Sequence, residues 1–467
     1  MMNKRHLFSA CLALCSLSAS AWDFGRIPPE EAAVYVQQLD NGKIWAAHRE
    51  DTPVNPASTM KLVTTFTALN ILGSDYRWNT EFKSSAKIQG DTLDGDLYWQ
   101  GSGNPTLEQD DIAAAQQQLR EQGIRHIKGS LVLDRSLWGS VPNPPEFADD
   151  EGETFMTPPD PNMLAYKVVW LTPQTDEAGN VQIHTKPPLP DIPQDNQVRL
   201  SRSTAACPSL ANHLQARFSD GILHLTGNLP SACLGKEMFV NMLTAPDFAR
   251  RSFINQWREN GGSISDGMAA ADTPKQAKTL AAAPSKPLAE ILTAMNKHSN
   301  NLIARSVFLK LGKAENARTA ARQAAEAVKQ ELALSGVDVS PLILENGSGL
   351  SRRERVSAKM MGQMLEKAYF SPFSADFIDT LPIAGEDGTL KSRLKTLGRP
   401  LRLKTGTLKD VRALAGYWLG DKPLAVVVII NSPKATAYLK DLDRMVTQIV
   451  NEIQATQESE TPPTDSN

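Results

Sequence analysis

The sequence is poor in the patterns that mark several functional classes. Its four cysteines include no Cys-x-x-Cys pair of the kind used in redox catalysis or zinc binding, and its seven histidines show no spacing typical of metal ligands. We therefore expect no metal and no other cofactor. The 49 basic and 52 acidic residues nearly balance, which gives no support for nucleic-acid binding. Beyond the N-terminal segment no run of 18 apolar residues occurs, so no transmembrane anchor is expected.

The first 21 residues have the composition of a secretory signal peptide. Lys4 and Arg5 supply the positive charge, residues 7–17 form an apolar stretch too short to span a bilayer, and residues 19–21, Ala-Ser-Ala, form a cleavage site. Removing this segment deletes two positive charges and takes the formal net charge from −3 to −5. The sequence therefore predicts an exported protein of the periplasm.

The cysteines divide into two groups. Cys11 and Cys15 lie inside the predicted signal peptide, and lipidation of Cys15 is less favoured than simple cleavage because a leucine precedes it. Cys207 and Cys233 remain in the mature chain. An even count in an oxidising compartment favours one disulfide that closes a short loop. Two free buried thiols are the alternative.

Three short motifs follow one another along the chain. They are Ser58-Thr59-Met60-Lys61, Ser299-Asn300-Asn301 and Lys404-Thr405-Gly406. The first offers a nucleophile and a base, and the second offers a hydroxyl and an amide. The third offers a cation, a hydroxyl and a glycine that lets a substrate lie close to the backbone. Together they indicate acyl-transfer chemistry of the kind that penicillin interrupts.

The first motif has a physical logic. Apolar residues at helical spacing follow Ser58, so it is expected in the first turn of a buried helix. Positions i and i+3 share a helix face, which places Lys61 beside the Ser58 hydroxyl. A serine alcohol is a poor nucleophile until a base takes its proton, and a lysine can be that base only if burial or nearby cations lower its pKa.

Each motif is weak by itself, and context decides between the copies. Ser84 and Ser392 also begin Ser-x-x-Lys patterns, but the first lies in an alternating polar strand and the second in a basic run. Ser102-Gly103-Asn104 repeats the Ser-x-Asn pattern. Ser299 is predicted to lie within one helix over residues 288–308, and Lys404 to begin an edge strand beside a buried strand at residues 424–430.

Further blocks of sequence resemble one family. Residues 101–107 are similar to its glycine-rich segment, and residues 346–351 to its Asp-Gly-Ser-Gly-Leu-Ser, with Asn346 in place of the acid. Residues 381–385 and 387–390 match another block. With the three motifs, these blocks identify the chain as a member of the class C low-molecular-mass penicillin-binding proteins, which are D-alanyl-D-alanine carboxypeptidases and endopeptidases.

The resemblance implies a role for each motif residue. Ser58 would attack the carbonyl carbon of a D-Ala-D-X bond while Lys61 takes its proton, and water would then hydrolyse the acyl-enzyme. The backbone N–H groups of Ser58 and Thr407 would bind the oxyanion. Ser299, with Lys404 nearby, would relay a proton to the leaving amine. Asn301 would orient Lys61 and hold the substrate amide. Lys404 and Thr405, beside Gly406, would bind a terminal carboxylate.

The same resemblance gives an acidic residue a role in specificity. Asp150 belongs to an acidic run before Pro158 and Pro159, at the distance where the family has an aspartate that meets the ammonium end of a diaminopimelate side chain. A solvated acidic loop is the alternative. The expected partners are peptidoglycan stem peptides and cross-links and β-lactam antibiotics; the oligomeric state is left open.

The length and the motif spacing predict a multidomain α+β protein. The resemblance implies a β-lactamase/transpeptidase-like catalytic domain, with an antiparallel sheet flanked by helices. A large insertion would split it, carrying a second α/β domain and a nested small β domain. The expected divisions are a signal peptide at 1–21, a catalytic domain at 22–80 and 278–455, an inserted domain at 81–159 and 236–277, a nested domain at 160–235, and a disordered tail at 456–467.

Two other functions share parts of this pattern. A serine β-lactamase has the same three motifs but needs fast deacylation, and the sequence contains no Glu-x-x-Leu-Asn, which carries the deacylating base in one such class. A noncatalytic peptidoglycan-binding or sensor protein would retain the fold with an inactive site. The presence of every motif residue argues against this second alternative.

Overall fold

The computed structural model describes residues 23–312 and 317–459. The predicted signal peptide lies outside these residues, as does most of the predicted tail. None of the helices in the described ranges combines the length and the apolar character needed to cross a membrane. The α-helices are α1 (Met60–Leu72), α2 (Gln109–Glu121), α3 (Ala245–Glu259), α4 (Leu288–Lys297), α5 (Asn301–Leu311), α6 (Ala317–Leu334), α7 (Ala358–Tyr369), α8 (Ser374–Asp379) and α9 (Leu439–Ser459).

The strands form four sheets. They are β1 (Ala32–Gln38), β2 (Ile44–His48), β3 (Asn79–Ser84), β4 (Ile88–Gln89), β5 (Thr92–Leu93), β6 (Leu97–Gln100), β7 (His126–Asp134), β8 (Val169–Thr175), β9 (Val181–Lys186), β10 (Gln194–Leu200), β11 (Leu214–Ser219), β12 (Ile222–Leu229), β13 (Met238–Val240), β14 (Ser263–Ala270), β15 (Lys278–Pro284), β16 (Leu401–Leu408), β17 (Val411–Trp418) and β18 (Leu424–Asn431).

A five-stranded antiparallel sheet brings the two ends of the chain together. Its order is β16-β17-β18-β1-β2, so the N-terminal hairpin of β1 and β2 pairs with the C-terminal strands. The central strand β18 is buried on both faces, since Val427 and Ile429 pack towards one core while Val426 and Val428 pack towards another. This alternation follows from the period of two in a strand. Helix α9 covers one face, and helices α1 and α4 to α8 contribute to the core on the other.

The insertion between α1 and α4 holds the other three sheets. Strands β3 to β7, β14 and β15 form a seven-stranded mixed sheet that shares a core with helices α2 and α3. Two three-stranded sheets, β13-β8-β9 and β10-β12-β11, make up the nested part. Cys207 and Cys233 are joined there by the predicted disulfide, across a sequence separation of 26 residues.

Three predicted boundaries need correction. The catalytic part is predicted to resume at residue 278, but strand β15, which begins there, pairs with β3 of the inserted sheet. Strand β13 follows the predicted end of the nested part at 235, yet it pairs with β8 within it. Helix α9 continues to Ser459, so residues 456–459 are helical rather than part of a disordered tail. In all three cases the predicted boundary was placed at a change in sequence composition, whereas the strand pairing or the helix continues beyond that change.

Candidate active site

The first motif forms a tight turn that leads into a buried helix. Ser58 lies in a 3₁₀ turn over Ala57–Thr59, and α1 begins at the next residue. Ala57 has a φ of 46°, a value that is costly for a residue with a side chain. The Asn55 side chain holds this turn by accepting the Ala57 N–H at 2.9 Å. The nucleophile candidate therefore sits on backbone that its surroundings fix.

Lys61 lies behind Ser58 and is fully buried. Its Nζ donates to the Ser58 hydroxyl at 3.1 Å, to Asn301 Oδ1 at 2.7 Å and to the Ser348 carbonyl at 2.6 Å. Burial lowers the pKa of Lys61 well below its usual value, and the charge of Lys404 adds to this shift. A lowered pKa favours the free amine over the ammonium, and a free amine is what a base for Ser58 requires.

The second motif lies between two helices, so the prediction of one continuous helix over residues 288–308 is wrong. Helix α4 ends at Lys297 and α5 begins at Asn301. The Asn300 side chain caps α5 by accepting the Ile303 N–H at 2.9 Å, and Ser299 adopts a φ of 54°. A capping asparagine favours such a break because its side chain replaces the missing helical acceptor.

This break points Asn301 into the helix–helix contact that also holds the candidate base. Its Oδ1 accepts from Lys61, and its Nδ2 donates to the Phe155 carbonyl of the insertion at 3.2 Å. A single amide therefore joins the catalytic helices to the inserted segment. The amide oxygen accepts a hydrogen bond and the amide nitrogen donates one, so Asn301 suits a lysine on one side and a backbone carbonyl on the other.

The third motif lies on the edge strand β16. Lys404 is fully buried and donates to Ser299 Oγ at 2.9 Å and to the Thr405 carbonyl at 2.8 Å. Burial lowers its pKa to about 7. A Cβ at Gly406 would lie 2.7 Å from the Pro56 carbonyl oxygen, so only glycine lets the strand approach the nucleophile turn this closely.

A cleft of about 640 Å³ opens in front of these residues. Its lining includes five predicted site residues from all three motifs together with the predicted specificity residue; these are Ser58, Ser299, Asn301, Thr405, Thr407 and Asp150. Lys61 and Lys404 lie behind this surface, and Gly406 packs against the nucleophile turn. The structure thus brings together every motif residue that the sequence singled out for catalysis and binding.

The competing copies of the motifs lie elsewhere. Ser84 is buried in β3, where its hydroxyl donates to the Asp96 carbonyl. Ser392 lies in an exposed turn. Ser102 hydrogen-bonds to Thr80 in the insertion. None of the three lines the cleft, so context rather than the motif itself separates the copies.

Sequence reasoning assigned no role to several residues that shape the cleft. The Ser348 carbonyl binds Lys61, and the Thr389 hydroxyl bonds to that of Thr405 at 2.9 Å. Both residues belong to the blocks that resemble the family, so those blocks were the available signal. Phe155 and Arg352 also line the cleft, and no pattern in the sequence marks them.

One group of possible metal ligands occurs in the described ranges. Cys207, His213 and Cys233 have ligand atoms within 4.8 Å of one another. The two cysteines are bonded to each other, so they offer no thiolates and the group reduces to one imidazole.

Comparisons with known proteins agree on one family. The family model described as "D-Ala-D-Ala carboxypeptidase 3 (S13) family" matches residues 13–452. A D-alanyl-D-alanine carboxypeptidase DacB of Haemophilus influenzae is 28% identical over 424 residues, which cover 85% of this chain and 84% of the relative. A D-alanyl-D-alanine carboxypeptidase of Actinomadura sp. strain R39 is 27% identical over 402 residues, covering 81% and 73%.

Solved structures give the same result at the level of the fold. The crystal structure of penicillin binding protein 4 (dacB) from Haemophilus influenzae matches with a TM-score of 0.70 and 27% identity, over 90% of this chain and 96% of that one. The same protein complexed with a novel β-lactam matches with a TM-score of 0.69. The fold is therefore that of a multidomain penicillin-binding protein.

Proposed function

The chain belongs to the D-Ala-D-Ala carboxypeptidase 3 (S13) family, and from this premise we propose that it hydrolyses D-Ala-D-X bonds of peptidoglycan peptides through an acyl-enzyme on Ser58. The observation that carries the proposal is the contact of a buried lysine of lowered pKa with the Ser58 hydroxyl at 3.1 Å. Carboxypeptidase activity is the activity in the names of the two relatives. We propose in addition that it cleaves the D-Ala-D-X bonds of peptidoglycan cross-links, which is endopeptidase activity.

Acylation proceeds by transfer of the Ser58 proton to Lys61 as the Ser58 Oγ–carbon bond forms. Two backbone N–H groups, those of Ser58 and Thr407, bind the oxyanion of the tetrahedral intermediate. Its collapse breaks the carbon–nitrogen bond, and the proton that Lys61 took from Ser58 passes to the leaving amine through Ser299, which contacts Lys404 at 2.9 Å. Lys61 then takes a proton from the attacking water and returns it to Ser58 Oγ as the ester bond breaks, which restores the enzyme.

The charge of Lys404 supports recognition of a carboxylate. Its ammonium lies behind Thr405 and Ser299, whose hydroxyls both line the cleft. A D-alanine carboxylate bound at Thr405 and Thr407 receives charge-assisted hydrogen bonds there. A β-lactam carries a carboxylate in the same relation to its reactive carbonyl, and its leaving nitrogen stays attached, so the acyl-enzyme persists.

Asp150 supports the choice of substrate side chain. It lines the cleft at the end of a 3₁₀ turn over Pro145–Asp150, within the inserted segment that also presents Phe155. We propose that its carboxylate binds the ammonium end of the cross-linking side chain, an interaction worth roughly tenfold to a hundredfold in rate. Asp150→Asn then weakens hydrolysis of peptides with a free side-chain amine.

The control for this substitution is acylation by a simple penicillin, which lacks that amine. The informative quantity is the ratio of the two second-order rate constants in the variant and the wild type. An unchanged ratio contradicts the role of Asp150, and an equal fall in both rates indicates disturbance of the cleft instead.

One assay separates the proposed function from its two alternatives. The protein is labelled with fluorescent penicillin, the loss of label is followed, and D-alanine release from a D-Ala-D-Ala peptide is measured in parallel. The proposal expects stoichiometric labelling, slow loss and D-alanine release. Fast loss without D-alanine release indicates a β-lactamase, and absence of labelling indicates a binding module.

The periplasmic location follows from the predicted signal peptide, and detection of the intact N-terminus in the mature protein would contradict it.

A further inference from the structure

Glu354 is a buried carboxylate that the acylation steps do not use. Its side chain is fully buried, and its Oε1 accepts three backbone N–H groups, from Glu345 at 3.0 Å, Asn346 at 2.9 Å and Gly347 at 3.2 Å. Its Oε2 is buried without a hydrogen-bond partner among the residues described. A carboxylate held in this way is costly, so it requires a compensating interaction.

The turn that Glu354 holds touches the candidate base and the nucleophile. Lys61 donates to the Ser348 carbonyl at 2.6 Å, and Thr64 of the same helix donates to the Gly347 carbonyl at 2.7 Å. Gly349 packs so closely that a Cβ there would lie 1.9 Å from the Ala57 carbonyl oxygen. A small displacement of this turn therefore displaces Lys61 or Ser58.

The turn holds an amide and a carboxylate side by side. The Asn346 side chain accepts from Ser348 and donates to the Leu350 carbonyl. The Glu354 carboxylate accepts the backbone N–H of the same residue. Position 354, and not position 346, therefore supplies the acidic group that holds this turn.

The charges around the base make this carboxylate relevant to proton transfer. Burial and the charge of Lys404 lower the pKa of Lys61, whereas the charge of Glu354 raises it. On the other side, burial and Glu345 raise the pKa of Glu354 while the three backbone N–H groups lower it. Glu354 is the acidic group that opposes the effect of Lys404 on the base.

We propose that Glu354 is a positioning residue for acylation, which fixes the 346–349 turn against Lys61 and stabilises the ammonium formed on Lys61 when it takes the Ser58 proton. The proposal rests on the proposed function, because it concerns the same proton transfer. A structural role alone requires only an acceptor for three N–H groups, which an amide oxygen also provides. Stabilisation of the Lys61 ammonium, in contrast, requires the negative charge of Glu354.

The test compares Glu354→Gln with the matched variant Glu326→Gln by measuring the second-order rate constant of penicillin acylation against pH. Glutamine keeps the shape and the acceptor but removes the charge. We expect the plateau rate of Glu354→Gln to fall roughly tenfold or more, and the acidic limb of its profile to move to lower pH because Lys61 loses a stabilising anion. Glu326 is exposed on helix α6 and pairs along that helix with Arg322, so its variant keeps the wild-type profile.

Superimposable profiles for Glu354→Gln and the wild type overturn the inference. If Glu354→Gln does not fold, Glu354→Asp provides the second measurement, because it keeps the charge and loses reach. Its acidic limb stays at the wild-type pH whatever its rate, and a displaced limb overturns the inference. A wild-type protein that is not acylated at all overturns the proposed function, and with it this inference.

Discussion

At the scale of single residues, the site is organised around two buried lysines with different tasks. Lys61 contacts the nucleophile, and Lys404 contacts Ser299 and the backbone of the edge strand. Burial lowers the pKa of both, and the charge of Lys404 lowers that of Lys61 further. Two like charges in one buried site repel each other, so the charge of Lys404 makes protonation of Lys61 less favourable.

This arrangement predicts a pH dependence of substrate capture. The pKa of Lys404 is lowered to about 7, so its ammonium is present below that pH and is lost as the pH rises through it. The value of kcat/KM for a peptide ending in a D-alanine carboxylate should therefore fall on the alkaline side of about pH 7, since this parameter reports groups of the free enzyme.

The matched control is the same peptide with a C-terminal amide. It has no carboxylate for Lys404 to attract, so its alkaline fall should be smaller. Equal alkaline falls for the two peptides would contradict a role for the Lys404 charge in carboxylate binding.

At the scale of secondary-structure elements, side-chain caps and close approaches place the motifs. Asn300 caps the start of α5 just after the break that follows α4, which brings Ser299 to the cleft and Asn301 to Lys61. Gly406 lets strand β16 lie against the turn that carries Ser58. The apolar spacing in the sequence predicted one continuous helix where the structure has two. The break went unpredicted because a single residue with positive φ does not change the apolar periodicity.

The disulfide supports a different group of elements. It joins Cys207 and Cys233 within the core of the insertion, and no residue of that core lines the cleft. The double variant Cys207→Ser with Cys233→Ser should lower the local free energy of opening of strands β8 to β13 by about 2–4 kcal/mol. Hydrogen exchange of these strands measures the loss.

Penicillin acylation of the same double variant should match the wild type. A large fall in the acylation rate with unchanged exchange in the nested sheets would contradict the separation of this support from the cleft.

At the scale of the whole molecule, the insertion completes the cleft. Phe147 and Met156 of the insertion pack with Leu350 of the catalytic part, and Arg305 of α5 donates to Asn143 Oδ1 at 2.7 Å and to the Pro142 carbonyl at 2.9 Å. Arg305 is only 2% exposed, so these bonds are shielded from water. They hold the segment that carries Asp150 against the catalytic helices.

Loosening this contact should affect substrate choice more than acylation. Arg305→Met removes the hydrogen bonds and keeps most of the volume, so hydrolysis of peptides with a free side-chain amine should fall roughly tenfold relative to penicillin acylation. The ratio of the two second-order rate constants measures the effect. Arg322→Met is the control, because Arg322 is exposed and pairs along its own helix with Glu326. Equal ratios in the two variants would contradict the role of Arg305.

The sequence predicted the parts of this molecule that local chemistry determines. Motif order identified Ser58, Lys61 and Lys404 as one site, and the apolar run at 424–430 predicted the buried strand β18. The Ser348 carbonyl escaped prediction because a backbone group has no sequence signature of its own. The boundary at β15 was missed because its pairing with β3 joins segments about 200 residues apart, and no local pattern encodes such a partner.

The most direct test of the central claim is to locate the acyl group after reaction with penicillin. Intact-mass measurement followed by peptide mapping should show one adduct per molecule, on the peptide that contains Ser58. Ser58→Ala should carry no adduct and release no D-alanine, while Ser392→Ala, which alters an exposed copy of the motif, should be acylated like the wild type. An adduct that persists in Ser58→Ala, or that maps to another serine, would contradict the account.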